Sequence, residues 1–336
     1  MSRVTMADVA KKAGVSKSTV SQFINKRFEY MGEETKKKID QAIKELGYQP
    51  NYLARSLKQK RTSMIGVIVA NIMHRFSTEV SRSIEDYCQQ HGLHAILCNA
   101  DDDPEKEREY IEVLRAKQVD GLIIFPTGKN IELYEKMMNE NYPVVFMDRK
   151  VEGLHANFVL ASNSEASYEA IRHFIGNGHK RIAIATQPLS ISPRIDRLQG
   201  YKDAMKEENI PLREDYMLHA EIHKMKAELK KLFSLPEPPT ALFAGNDLVF
   251  LETLEAFKEN QVKIGEDIAL IVFDNIPFAH LVETPVTTIA QPGFEMGQKA
   301  AELLINNIEN KVSQVARQYV FPCELMVRES SQSKVE

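Results

Sequence analysis

The sequence predicts two kinds of architecture in one chain. An all-α helix-turn-helix head occupies residues 1–49. From residue 63 to about 330 follows an α/β body of two lobes built on parallel sheets. Three observations carry this. Two short amphipathic segments meet at Gly14. Residues 1–61 hold fourteen Lys/Arg and six Asp/Glu, a net +8, which leaves −12 for the rest of a chain whose total is −4. From Met64 onward, short apolar runs alternate with helical stretches.

In the head, Thr5 suits a helix N-cap, where its hydroxyl accepts from an amide freed at the helix start. Met6, Val9, Ala10 and Ala13 then share one face at spacings of three and four. Gly14 supplies the turn, where a side chain resists positive φ. Ser16 caps a second helix with Val20, Phe23 and Ile24 on one side. Lys17, Ser18, Ser21, Gln22 and Asn25 are left facing out. Small polar and basic residues at the start of a short second helix fit one that reads a major groove. A polar turn, Lys26 to Gly32, leads to a third helix, Glu33 to Leu46. Its Ile39, Ile43 and Leu46 point inward, and Lys36, Lys37 and Lys38 lie on or near the outer face. Pro50 breaks the chain. Asn51 can cap a segment over Tyr52–Leu57 that is too short to be stable alone. The polar linker Lys58–Ser63 follows. The basic head on an acidic body is the asymmetry of a chain with one end that meets phosphates.

In the body, Met64–Ala70 is a nearly continuous apolar run, as in a strand buried on both faces. Similar runs recur at 95–98, 121–125, 144–147, 182–185, 241–244 and 268–273. Helical stretches lie between them, at 77–91, 104–117, 163–175, 197–208, 224–233 and 247–259. Such alternation gives parallel sheets covered by helices. Two units of this kind place a cleft between them, and ligands bind beyond the carboxyl ends of the strands.

The composition is that of an ordinary globular protein, 43% hydrophobic and 27% charged. No run of eighteen apolar residues suggests a membrane span. No apolar signal segment precedes Asp8, so a cytoplasmic protein is expected. Cys88, Cys98 and Cys323 form neither a disulfide framework nor a zinc motif. His219 and His223 have a zinc-like spacing, but they straddle a strand end and a helix start with no third ligand close in sequence. Asp101-Asp102-Asp103-Pro104 reads as a helix-start acid cluster, with a cation site as its alternative. Gly176-Asn177-Gly178 reads as a turn. No nucleophile–base order or carboxylate pair gathers at a motif, so no enzyme, metal or cofactor is expected.

Several motifs in order carry a family resemblance over nearly the whole chain. They are Asp8-Val9-Ala10, Ala13-Gly14-Val15-Ser16, Thr19-Val20-Ser21 and Asn25, then Leu46-Gly47-Tyr48, Pro50-Asn51 and Ala54-Arg55-Ser56-Leu57. In the body they are Asp120-Gly121-Leu122-Ile123-Ile124, Asp148-Arg149, Gly178-His179-Lys180-Arg181-Ile182, Asn246-Asp247, Phe273-Asp274 and Thr287-Thr288-Ile289. The chain resembles the LacI/GalR family of bacterial transcription regulators. The resemblance implies a helix-turn-helix headpiece, a hinge helix within residues 50–62, and a core like a periplasmic sugar-binding protein. Its amino-terminal lobe should take about 63–162 and 292–320, its carboxyl-terminal lobe about 163–291 and 321–330. It also implies a homodimer on pseudo-palindromic double-stranded operator DNA; no leucine-heptad tail follows, so a dimer rather than a tetramer is expected.

Departures from the family pattern are informative. Gln22 stands where many members have arginine. The usual Asn-Pro-Phe-Phe is His74-Arg75-Phe76-Ser77, the usual Asp-Asn is Ser162-Asn163, and Val272 replaces a glycine. The slightly long loop Arg27–Gly32, with the Glu33–Lys38 run after it, resembles the subgroup of 2-keto-3-deoxygluconate repressors.

For DNA, Lys17, Ser18 and Gln22 are placed to reach base edges; lysine donates to guanine and glutamine suits adenine. Ser16, Thr19, Ser21 and Asn25 fit phosphate contacts. Thr5, Asn51, Tyr52, Ala54 and Lys58 complete the DNA-facing set. Leu57 either packs on the core below or, as the resemblance implies, wedges with its twin into a minor-groove step. For the effector, the candidates at strand ends or on cleft-facing loops are His74, Arg75, Asp148, Arg197, Asn246, Asp274 and Gln291, with Phe76 either stacking on a ligand or in the core. Asp and Asn exchange hydrogen bonds with sugar hydroxyls, and arginine offers a planar fork. Arg197, Asn246 and Asp274 match family ligand positions. Cationic His74-Arg75, where proline is usual, suggests an acidic effector such as a sugar acid or sugar phosphate. The expected function is repression of a carbohydrate-catabolic operon, relieved by a small sugar-type effector. Alternatives are the same fold answering to a neutral sugar, a sugar phosphate or a phosphocarrier protein, or an exported sugar-binding protein without DNA.

Overall fold

A computed structural model describes residues 4–49, 61–310 and 316–332. The chain divides into two compact units, residues 1–62 and residues 63–336.

The head has three helices, α1 (Met6–Ala13), α2 (Lys17–Ile24) and α3 (Glu33–Leu46). Val9, Ala10, Ala13, Val20, Ile39 and Ala42 are buried together, and Met31 and Tyr48 close the cluster from the loops. Phe23, Ile24, Ile43 and Leu46 pack half-buried against it. Gly14 has φ +67°, and its amide reaches back to the carbonyls of Ala10 and Lys11, a left-handed C-cap that only glycine adopts at no steric cost. On α3, Lys36 and Lys38 pair with Glu33 and Glu34 at 2.7 and 2.8 Å. Much of the expected lysine face is therefore locally neutralised, through exposed pairs of small energetic weight.

In the body, the first sheet has strand order β11-β5-β4-β3-β1-β2. These strands are β1 (Met64–Val69), β2 (His94–Asn99), β3 (Gly121–Ile124), β4 (Val144–Met147), β5 (Phe158–Ala161) and β11 (Gln318–Phe321). The second has order β12-β10-β9-β8-β6-β7. It contains β6 (Ile182–Thr186), β7 (Met217–His219), β8 (Ala241–Ala244), β9 (Ala269–Phe273), β10 (Thr287–Ala290) and β12 (Glu324–Met326). The pairs are parallel except β10 with β12. Strands β3, β4, β6, β8 and β9 are buried along their whole length, as strands covered on both faces must be.

Among the described residues, eight helices flank the sheets: α4 (Arg75–Gln90), α5 (Pro104–Ala116), α6 (Ile131–Asn139), α7 (Asn163–Gly176), α8 (Ser192–Glu207), α9 (Ile222–Phe233), α10 (Asp247–Asn260) and α11 (Gly293–Asn310). The chain crosses between lobes three times: β5 to α7, β10 to α11, and β11 to β12. The crossings are tied together, since the Ser162 amide donates to Phe321 O at 2.9 Å and the Cys323 amide to Ser162 Oγ at 3.1 Å. Helix α8 starts at Ser192, five residues before the expected Arg197, because Pro193 is tolerated in a first helical turn. Where α7 and α8 cross, a Cβ on Gly200 would lie 2.1 Å from Ser164 O.

Candidate DNA-reading and effector sites

The start of α2 presents Lys17, Ser18 and Gln22 to solvent. The Ser16 hydroxyl accepts the Thr19 amide at 3.1 Å and shares a 2.8 Å hydrogen bond with the Thr19 hydroxyl. Asn25 Nδ2 donates to Ser21 O at 2.7 Å. The four residues read as phosphate contacts thus also lock the helix ends that aim Gln22. Thr5 is the N-cap of α1, as read from sequence, and forms a capping box with Asp8. Its amide and hydroxyl donate to Asp8 Oδ2 at 2.8 and 2.7 Å. These bonds hold the Asp8 carboxyl below its ordinary range. Asn51, Tyr52, Ala54, Leu57 and Lys58, with the hinge segment, lie outside the described residues.

In the body, a cavity of about 50 Å³ lies between the lobes. It is room for about one or two waters. Its lining includes His74, Phe76, Asp148, Arg197, Asn246, Asp274 and Gln291. Seven of the eight residues read as effector contacts are thereby brought together. Arg75 is the exception. Its amide donates to Asp247 Oδ2 at 2.8 Å, and its half-exposed guanidinium lies 3.9 Å from Glu79 in a neighbouring cavity. As the first residue of α4, its side chain leaves along the helix surface.

The strand ends aim the site. Asp148 and Asp274 follow β4 and β9 directly, in left-handed backbone with φ +70° and +86°, a conformation aspartate tolerates better than most residues. Burial pushes both carboxyls up, towards the neutral acid, against the nearby Arg149 and Arg197 charges for Asp148 and against Arg197 for Asp274. Gln291 Nε2 donates to Asp274 Oδ1 at 2.6 Å. Asn246 caps α10 by accepting the Val249 amide at 2.8 Å, while its Nδ2 donates to Gln187 at 2.7 Å. Arg197 is committed on three sides: Nε to Asn163 Oδ1 at 2.8 Å, Nη1 to Gly245 O at 2.6 Å, and its carbon 3.6 Å from the Phe273 ring centroid. Phe76 satisfies both of its readings, since it packs edge-on against Phe125 in the core and also lines the cavity.

His74 Nδ1 and Asp247 Oδ1 meet at 2.6 Å. Burial disfavours the imidazolium, but the Asp247 bond and charge, with Asp274 and Asp102 beyond, outweigh it and raise the His74 pKa. Burial also works against the Asp247 carboxylate, yet the His74 bond and charge hold its pKa down.

Sequence reading missed Arg149 and Arg194, both buried and both lining the cavity. Arg149 was in view as the neighbour of Asp148. Arg194 sits three residues before Arg197, a helical spacing that puts both on one face once α8 is started at Ser192. The Asp101–Asp103 cluster resolves into separate partners. Asp103 caps α5 through the Glu105 amide at 2.9 Å, Asp101 pairs with Lys106 at 2.5 Å, and Asp102 pairs with Arg149 at 2.7 Å. His219 bonds Thr186 at 2.9 Å.

Comparison with known proteins agrees with this geometry. Residues 5–51 match the model of bacterial regulatory proteins of the lacI family, and residues 62–329 that of periplasmic binding proteins and the sugar-binding domain of the LacI family. The chain is 46% identical to the probable HTH-type transcriptional regulator EndR of Paenibacillus polymyxa, over 91% of each chain. It is 35% identical to the HTH-type transcriptional regulator KdgR of Bacillus subtilis, again over 91% of each. Its fold matches the Lac repressor bound to ONPG in the repressed state with a TM-score of 0.86, at 24% identity, over 98% of this chain and 100% of that one. By both family models and these relatives, the chain belongs to the LacI family of bacterial regulators, as a DNA-binding transcriptional repressor and not an enzyme.

Proposed function

We propose that this repressor holds a pseudo-palindromic operator as a homodimer and releases it when a sugar acid, such as 2-keto-3-deoxygluconate, enters the cleft between its lobes. The observation that carries the reading is the charge balance of the cleft. Three buried arginines, Arg149, Arg194 and Arg197, and His74, whose pKa is raised, face four carboxyls. The Asp102 and Asp247 carboxyls are held down by their cationic partners, while burial pushes those of Asp148 and Asp274 up. Burial thus tilts the cleft away from negative charge, and buried positive charge is relieved by an anion. Asp148, Asn246, Asp274 and Gln291 then serve hydroxyls, and Arg197 braces the pocket floor.

On DNA, Lys17, Ser18 and Gln22 read base edges, and Leu57 from each subunit wedges the centre of the operator. Shifting the lobes from 99:1 to 1:99 takes about 5.5 kcal/mol of differential binding, about half from each of two effector molecules. The test is a gel shift on the upstream region of the chain's own gene, with sugar acids, neutral sugars and sugar phosphates added in turn. Release by sugar acids alone is expected. Release by neutral sugars alone refutes the acidic preference.

A further inference from the structure

We propose that Arg149 and Arg194 form a carboxylate subsite within this cleft, and that Asp102 occupies it as an internal counter-anion which the acidic effector displaces. The inference rests on the acidic-effector reading and adds where the acid group sits.

The two arginines come from opposite lobes. Arg149 follows β4 and Asp148, whereas Arg194 lies in the first turn of α8. Both line the cavity, and they are only 4% and 8% exposed. Asp102 stands on the turn between β2 and α5, where Asp101 and Asp102 both have positive φ, +54° and +58°. That turn aims its carboxylate at the arginines.

Asp102 engages the Arg149 fork at one nitrogen only. Arg149 Nη1 lies 2.7 Å from Asp102 Oδ1 and helps to hold that carboxyl down, while Arg149 Nε is buried without a hydrogen-bond partner among the described residues. Arg149 Nε is 3.6 Å from Asp148 Oδ2, and Nη1 also makes a long hydrogen bond to Pro126 O at 3.4 Å. Arg194 Nη2 is 3.8 Å from Asp102 Oδ2, too far for a hydrogen bond. Its Nη1 donates to Pro188 O at 3.0 Å and Ser190 Oγ at 3.4 Å. Arg197 beside them has Nε and Nη1 committed to Asn163 and Gly245, whereas Arg149 Nε lacks a hydrogen-bond partner among the described residues and Arg194 Nη2 stands 3.8 Å from Asp102. A guanidinium fork matches a carboxylate bidentately, and Asp102 does not supply that match.

Electrostatics point the same way. Burial depresses the Arg194 pKa to about 10; Asp102 offsets this, while Arg149 and Arg197 add to it. A second carboxylate relieves that repulsion. The Asp102 side chain keeps 31% of its surface exposed, so it can turn to water when displaced. Because Asp102 and Arg194 belong to different lobes, the exchange also replaces a weak contact between lobes by a ligand gripped from both sides.

The experiment is calorimetry with the full-length protein, using 2-keto-3-deoxygluconate, D-gluconate and D-galacturonate as acids and D-glucose and D-galactose as neutral probes. Arg194→Gln should weaken the acid that binds best by about 10- to 100-fold, the worth of a buried charge-assisted hydrogen bond. Asp102→Asn should tighten the same acid, because the internal competitor loses its charge; this holds the inference to account should Arg194→Gln fold poorly. An acid that binds the wild type and Arg194→Gln equally, or that binds Asp102→Asn no better, overturns the subsite and leaves the acidic-effector reading standing. Binding of neutral sugars with no acid binding at all overturns both.

Discussion

His74 and Asp247 belong to different lobes and meet at 2.6 Å, where the imidazole is 15% exposed and the carboxylate 6%. Because the pair spans the cleft, separating the lobes would break it, and protonation of His74 is expected to favour the lobes together. The His74 pKa in this arrangement lies above its ordinary value of 6.5. Its contribution to closure is therefore fully present below that value and fades as pH rises through the raised one. Across about pH 6 to 8, the range in which histidine switches, effector affinity should change in wild type and change less in His74→Gln. Calorimetry at a series of pH values checks this; equal pH slopes in the two proteins would sink it.

Gln22→Ala should cost about 1–3 kcal/mol at one base pair per half-site, and preference at that pair should relax. Binding to a set of operators each changed at a single position measures it. A loss shared equally by every operator would make Gln22 a phosphate contact instead.

Arg197→Lys keeps the charge but removes the fork that joins Asn163, Gly245 and the Phe273 face. Arginine and lysine are not interchangeable at such a site. The expected loss is about 1.5–3 kcal/mol in effector binding, read by calorimetry. An affinity unchanged by lysine shows that charge alone matters there.

Gly200→Ala pushes a methyl into the backbone of α7, 2.1 Å from Ser164 O and 2.9 Å from the Tyr168 amide. Neither neighbour is a flexible side chain, so the helices must separate. A loss of about 1–3 kcal/mol or more is expected, seen as a lower melting temperature of the body by calorimetric unfolding. A melting temperature equal to wild type refutes the contact.

The core was legible wherever it is periodic. Met64–Val69 and Val144–Met147 are uniform apolar runs and lie in the middle of their sheet. Strands β5, β7, β10, β11 and β12 were not named from sequence: β7, β11 and β12 are edge strands of three or four residues with mixed burial, and β5 and β10 are four-residue strands too short to stand out, β10 being half threonine. In the cleft, Asp148 and Asp274 stood out as acids ending apolar runs. Arg149 and Arg194 did not, since a buried arginine in a polar stretch looks like a solvated one until the opposite lobe is placed against it. Arg75 lines the neighbouring cavity instead, with Phe76, Asp274 and Gln291, because the direction of its side chain depends on where α4 begins.

The three crossings between lobes also order events in time. The amino-terminal lobe takes its edge strand, β11, and a packed helix, α11, from the last part of the chain, and the other lobe takes β12 from the same stretch. Neither lobe can be finished during synthesis before residues near 320 leave the ribosome. The head, whose core is complete by Tyr48, needs none of them. At about 5–20 residues per second, the DNA-reading fold precedes its own control by tens of seconds, so each new copy begins life as an unregulated basic domain tethered to a ribosome.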